Sequence, residues 1–277
     1  MMFPFQTALN ASTLFPFQLD VKEQIRIAAE AGYEGIELWV RDIEAFLAGG
    51  GTVQELSKYI SDTGISLVNA IAFFKWADAD KEERKNGFEQ AKREMEMLAQ
   101  LGCDAVAAPP FGNVEGVTLE EMADCFAELA AIAHGIGIQP YLEFWGRAKQ
   151  LSTLKDAIQV AKLSGVPDAA ILADPFHMYT GGSRVADFKQ LDGIRIGIVH
   201  ANDYPSAPPQ DVIADKDRVF PGDGVAPLTE LTQLLYEQDY RGYLSLELFI
   251  TDYGTQSPLD VALHGLERMK TAFTLKD

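Results

Sequence analysis

The 277 residues carry 23 Lys and Arg against 41 Asp and Glu, a formal net charge of −18. Such a surface repels phosphate backbones and anionic lipid, which argues against nucleic acid or a membrane as partner. At 47% hydrophobic the chain can fill one large core, and its two cysteines, Cys103 and Cys125, are too few for a disulfide framework. They read as buried thiols in a reducing compartment. Met1-Met2-Phe3-Pro4-Phe5-Gln6 lacks the basic start and long apolar core of a signal peptide, and no apolar run approaches the ~20 residues that span a bilayer. The expectation is a cytoplasmic protein forming one domain over residues 1–277.

Residues 5–10 read as a first strand. Val21, Ile25, Ala28 and Ala29 then repeat at helical spacing, and Gly32 ends that helix. A second strand is expected over 33–40, a helix over 53–62, and a third strand over 65–71. A long helix over 81–101 closes at Gly102. Strand four, 105–108, is broken by Pro109-Pro110. Thr118-Leu119-Glu120-Glu121 has the form of a capping box that opens the next helix. Strand five follows at 138–144, a helix at 151–164, strand six at 169–173 and a short helix near 185–190. Strand seven covers 194–200. A long polar loop leads to a helix over 228–238, strand eight over 243–248 and a last helix over 258–271.

Strands that alternate with helices demand a parallel sheet with right-handed crossovers. Eight such units in roughly 250 residues match a closed (β/α)₈ TIM barrel. A doubly wound open sheet would bring a glycine-rich phosphate turn after the first strand, and none is present.

Barrel sites lie at the carboxyl ends of the strands. Strand five ends in Glu143, strand six in Asp174, strand seven in His200 and strand eight in Glu247. Pro175 stops strand six, which leaves His177 on the following loop. Carboxylates in apolar runs are costly unless paired or bound to a cation, and clustered carboxylates repel one another. Few basic residues lie near these positions in the sequence to form salt bridges. A divalent metal held by Glu143, Asp174, His200 and Glu247 is the economical expectation. Three oxygen ligands and one nitrogen suit Mn²⁺, with Mg²⁺, Co²⁺ or Zn²⁺ as alternatives.

At these residues the chain resembles the xylose isomerase-like barrels: sugar-phosphate isomerases and epimerases, tagatose/psicose 3-epimerases, and inosose isomerases and dehydratases. The likeness runs through Gly-Tyr-Glu-Gly-Ile-Glu-Leu (32–38), Leu-Glu-Phe (142–144), Asp-Pro-Phe-His-Met (174–178), Val-His-Ala-Asn-Asp (199–203), Arg-Val-Phe-Pro-Gly-Asp-Gly (218–224) and Leu-Glu-Leu-Phe (246–249). The resemblance implies that Glu143, Asp174, His200 and Glu247 bind metal and that His177 and Arg218 hold the substrate. It implies a sugar or cyclitol isomerase/epimerase that removes a proton beside a carbonyl through a metal-stabilised enediolate, with Glu143 and Glu247 as acid and base. A dehydratase of the inosose type would use the same metal site. Members of the family form dimers or tetramers, and the sequence leaves the assembly open.

Other side chains have two readings each. Glu37 ends strand two and either reaches the substrate pocket or forms a salt bridge at the barrel mouth. Trp145, with Trp39, Phe74, Trp76, Phe176 and Phe249, lies near strand ends, where a ring either packs on a sugar face or fills the core. Asp203 either orients Arg218 or a catalytic group, or serves a turn. His134 and His264 read as structural or solvated. The loop 250–254 is acidic and lacks a Gly-Gly phosphate grip, which favours an unphosphorylated substrate. The superfamily's abasic-site endonuclease needs further histidines where this chain has Asn69, Pro109-Pro110 and Asp215-Lys216-Asp217-Arg218. A non-catalytic sugar-binding barrel would be expected to have lost a metal ligand, and none is lost.

Overall fold

In the computed structural model, which describes residues 2–275, strands alternate with helices along the chain. The strands are β1 (Gln6–Asn10), β2 (Gly35–Trp39), β3 (Ser66–Ile71), β4 (Ala105–Ala108), β5 (Gln139–Glu143), β6 (Ala170–Ala173), β7 (Arg195–Ala201) and β8 (Tyr243–Leu246). The helices are α1 (Val21–Ala31), α2 (Val40–Ala48), α3 (Val53–Thr63), α4 (Lys81–Gln100), α5 (Leu119–Ile136), α6 (Leu154–Ser164), α7 (Pro175–Gly181), α8 (Leu228–Glu237) and α9 (Pro258–Ala272). Among the described residues the strands close into a barrel in chain order, and β8 returns to β1. This is the (β/α)₈ fold that the alternation of elements predicts. The expectation for the N-terminal Met1 lies outside the described residues.

Local chemistry sets the element boundaries. Asp20, Thr52, Asp80, Thr118, Thr153 and Ser257 each accept a backbone N–H from the first turn of a helix. The Thr118 box is closed: Glu121 N donates to Thr118 Oγ1 at 3.2 Å, and Thr118 N to Glu121 Oε2 at 2.9 Å. β4 and β6 are apolar and buried along their whole length, as befits parallel strands covered on both faces. Cys103 and Cys125 are buried thiols. Among the described residues no helix is long and apolar enough to cross a membrane.

Two compact units make up the chain. The first comprises Met1–Val68, Asp174–Phe176 and Ile198–Asp277. In it β1 pairs in parallel with β2 and β8, and β7 with β8, so that Asn10 lies beside Glu37 and His200 beside Ser245. The second comprises Asn69–Ala173 and His177–Gly197 and contains the parallel pairs of β3 with β4, β4 with β5 and β5 with β6.

Beyond shifts of one or two residues at the other strand ends, three expectations change. The second strand stops at Trp39, and α2 begins at once with Val40; Val40 and Ile43 are its buried positions. A β-branched residue after an apolar strand hid this start. The helix expected from 151 begins at Leu154, because Thr153 and Asp156 cap each other and Leu151 has a φ of 56°. His177 lies within α7 rather than on a loop. Pro175 ends the strand and also occupies a first-turn helix position, where its missing N–H costs nothing.

The loop after β7 is tied to one carboxylate. Asp203 Oδ1 accepts from the N–H groups of Tyr204 (2.7 Å) and Ala226 (2.8 Å), and Oδ2 from those of Gly222 (3.0 Å) and Gly224 (3.1 Å). Asp203 and Val219 also exchange backbone hydrogen bonds at 3.1 and 2.9 Å. Asp203 thus takes the turn role and brings Arg218 beside the end of β7. Gly224 is required by proximity, since a Cβ there would collide with Tyr204 O and the Asp203 carboxylate. Asp203→Ala leaves four N–H groups without this acceptor and should lower the unfolding free energy by at least about 2 kcal/mol. Urea denaturation measures this, and a loss below about 0.5 kcal/mol would show that the loop holds without the carboxylate.

Candidate active site

The strand ends of the first unit gather five ionisable side chains. Glu37, Asp174, His200, Arg218 and Glu247 are each at most 4% exposed. Asp174 follows β6 and points one oxygen each way. Its Oδ1 accepts from Phe176 N at 2.7 Å and from Asn202 Nδ2 at 3.1 Å, which anchors it at the start of α7. Its Oδ2 accepts from Arg218 Nη1 at 2.7 Å. Glu247 is arranged alike: Oε1 accepts from Asn10 Nδ2 at 3.1 Å and Oε2 from Arg218 Nη1 at 2.8 Å. The Arg218 guanidinium is held from its other side by Asp215, whose Oδ1 accepts from Nη2 at 2.7 Å. It also lies over the rings of Phe176 and Phe249, 4.6 and 5.1 Å from their centroids.

His200 stands between carboxylates. Nε2 is 3.3 Å from Glu37 Oε1; Nδ1 is 3.0 Å from Glu247 Oε2 and 3.4 Å from Asp174 Oδ2. Despite these distances Nδ1 has no hydrogen-bond partner of acceptable geometry. Burial opposes charge on the imidazole, but Glu247 and Glu37 outweigh it and hold the pKa well above the ordinary histidine value. Burial pushes the Glu247 carboxyl up, against the opposing pull of His200 and Arg218.

Asp174, His200 and Glu247 each offer a ligand atom, and these atoms lie within 4.8 Å of one another. Two carboxylates and an imidazole are a donor set for a first-row divalent cation. The aim of Nδ1, buried and without a hydrogen bond, fits such an ion. Charge points the same way. Three buried carboxylates, Glu37, Asp174 and Glu247, face one permanent cation, Arg218, and a bound metal ion would offset the excess of negative charge.

The second unit holds the remaining expected residues. Glu143 ends β5, is 6% exposed, and accepts from Trp145 Nε1 at 3.0 Å. The Trp145 ring lies 6.4 Å from that of His177 and 6.1 Å from that of Phe73. Trp76 and Phe74 are core residues; Trp76 Nε1 donates to Pro109 O at 2.6 Å. His134 is partly exposed beside Asp168, and His264 packs edge-on against Phe220.

Two features were not legible in the sequence. Basic residues near in sequence were too few for salt bridges, yet Arg218 supplies a buried pair from 44 residues beyond Asp174 and 29 before Glu247. Asn10, buried at the end of β1, contacts both Glu37 and Glu247. Its place as a polar strand end was the available signal. Glu37 takes the salt-bridge reading: it is fully buried at the end of β2, with Oε1 3.3 Å from His200 Nε2.

The family profile described as xylose isomerase-like TIM barrel matches residues 25–272. The chain belongs to this family. Its relatives include an inosose isomerase of Bacillus velezensis, 27% identical over 241 residues that cover 84% of this chain and 85% of that one. A 3-dehydroshikimate dehydratase of Pseudomonas aeruginosa is 26% identical over 254 residues, 89% of this chain but 39% of that protein. Among solved structures, that of the IOLI protein with a bound zinc atom superposes with a TM-score of 0.89 at 23% identity, covering 97% of this chain and 98% of that one. This barrel therefore shares its fold with a protein described as zinc-bound.

Arg218→Leu in this xylose isomerase-like barrel strands the Asp174 and Glu247 carboxylates in the interior. The metal-free protein should lose about 3–5 kcal/mol of unfolding free energy, the usual cost of removing one partner of a buried pair. Equilibrium denaturation in the presence of a chelator measures it; an unchanged midpoint would mean that the guanidinium does not hold these carboxylates.

Proposed function

We propose that this xylose isomerase-like barrel is a divalent-metal-dependent isomerase or epimerase of an unphosphorylated sugar or cyclitol, acting by proton transfer beside a carbonyl. The buried Asp174–His200–Glu247 cluster is the observation that carries this reading. The inosose isomerase relative supports the substrate class. Glu143 completes the ligand set. Mn²⁺ is the ion of choice for three oxygens and one nitrogen, with Mg²⁺, Co²⁺ or Zn²⁺ as alternatives; the zinc of the IOLI protein supports a divalent ion. Bound there, the ion supplies Lewis acidity toward a carbonyl oxygen, which acidifies the neighbouring C–H.

The chain's own residues do the rest. Glu143 and Glu247 share the proton transfer, one removing it and the other returning it to the opposite face, which gives epimerisation. Return to the adjacent carbon gives isomerisation instead. Arg218 faces the negative charge that proton loss leaves on the substrate, and His177 and Trp145 contact its hydroxyls and ring face. Glu37 borders the substrate through His200. The whole acts in the cytoplasm on a neutral small molecule, in keeping with the chain's own negative charge.

The Pseudomonas relative supports a second reading, a dehydratase that uses the same proton abstraction and expels a β-hydroxyl. Incubation with Mn²⁺ and a panel of ketoses and inososes in D₂O separates the two. Deuterium next to the carbonyl without loss of water is the expected result; loss of water selects the dehydratase; no exchange with any member contradicts proton transfer. Glu143→Gln should lower exchange by about 10²-fold or more while metal stays bound. A rate within about threefold of wild type would remove Glu143 from the acid–base pair.

A further inference from the structure

The amide of Asn10 uses every hydrogen-bonding position it has. Nδ2 donates one N–H to Glu247 Oε1 at 3.1 Å and the other to Glu37 Oε1 at 3.3 Å. Oδ1 accepts from Ser12 N at 3.0 Å and from Trp39 Nε1 at 3.0 Å. Two N–H donors facing one atom identify it as the oxygen, so the amide has a single orientation with its NH₂ toward the carboxylates. Asn10 is fully buried, and the parallel register of β1 and β2 sets it beside Glu37.

The two oxygens of Glu247 are thereby given different tasks. Oε1 accepts from Asn10, while Oε2 accepts from Arg218 Nη1 and lies 3.0 Å from His200 Nδ1. A carboxylate free to rotate could exchange its two oxygens; one pinned through Oε1 keeps Oε2 turned toward His200. The same amide holds Glu37, and Glu37 faces Nε2 of His200 on the side away from Nδ1. One side chain thus sets the attitude of one candidate ligand directly and of a second through its carboxylate partner.

Trp39 extends this contact toward the barrel mouth. Its indole N–H points Oδ1 of Asn10 away from the carboxylates, and its ring meets Phe15 at 5.0 Å and Phe249 at 6.1 Å, edge to face. The Arg41 guanidinium lies 4.5 Å from the Trp39 ring centroid. The indole is therefore fixed by packing on one side and fixes the amide on the other.

We infer that Asn10, oriented by Trp39, is a positioning residue that fixes the orientation of the Glu247 carboxylate through Oε1 and aims His200 through Glu37. This rests on the metal reading above. Partners of this kind outside the ligand shell typically govern metal affinity by about 10–100-fold. The competing account is that Asn10 only caps the turn at Ala11–Phe17 through Ser12 N, a stability role with no consequence for ligation.

Titration of metal-free protein with Co²⁺, followed by visible absorption, separates these accounts, because the ligand-field bands report coordination number. Asn10→Ala should weaken Co²⁺ binding by about 10–100-fold and alter the bands at saturation. Trp39→Phe leaves the amide in place but removes its guide, and should alter affinity and bands in the same direction by a smaller factor. In the double variant the Trp39 change should add nothing, since the residue it acts through is gone. If Asn10→Ala does not fold, Trp39→Phe alone carries the test. A wild-type affinity and wild-type bands in the variants, whatever the fall in melting temperature, would overturn the inference and leave Asn10 as a cap. Failure of the wild-type protein to bind Co²⁺ would instead remove the metal reading, and this inference with it.

Discussion

When the barrel forms, the carboxylates of Glu37, Asp174 and Glu247 lose their water, and the groups that meet them are the Arg218 guanidinium, the His200 imidazole and the amides of Asn10 and Asn202. Buried charge of this kind is tolerated only when it is paired and hydrogen-bonded. That need explains much of the surrounding architecture. Asp203 gathers the loop that delivers Arg218, Asp215 grips the guanidinium from outside, and Asp174 is anchored by the first turn of α7. A site kept for stability alone would do as well with apolar side chains of similar volume. Three buried carboxylates around one imidazole are the basis of the metal proposal.

The pairing also bears on how the site works. Arg218 Nη1 contacts the same oxygens, Asp174 Oδ2 and Glu247 Oε2, that lie closest to His200 Nδ1. Each carboxylate oxygen has two lone pairs, so guanidinium and cation can share it. Negative charge developing on a bound substrate would then meet positive charge from both. Burial lifts the Glu247 carboxyl against the pull of His200 and Arg218.

Much of this was legible in the chain itself. The alternation of apolar runs with capped amphipathic stretches gave eight strand–helix units, and the polar residue ending each of four late strands marked the mouth of the barrel. What stayed hidden depended on distance or on local competition. Val40 looked like strand because it is β-branched and follows Trp39, although it opens α2. Pro175 signalled the end of β6 but not that it would also begin α7. Arg218 looked remote from the carboxylates it pairs with, because only the folded loop brings it there. Asn10 carries no motif; its role follows from the register that sets β1 beside β2 and β8. Membership of the xylose isomerase-like family accounts for the shared barrel.

The central claim is that the buried cluster exists to hold one divalent cation. Equilibrium dialysis of the chelator-treated protein against Mn²⁺, with bound and free ion counted by electron paramagnetic resonance, tests it most directly. The account predicts one ion bound per chain, with that ion lost when Asp174 and His200 are both replaced by alanine. Binding of no ion by the wild-type protein, or the same stoichiometry and affinity after both replacements, would contradict it.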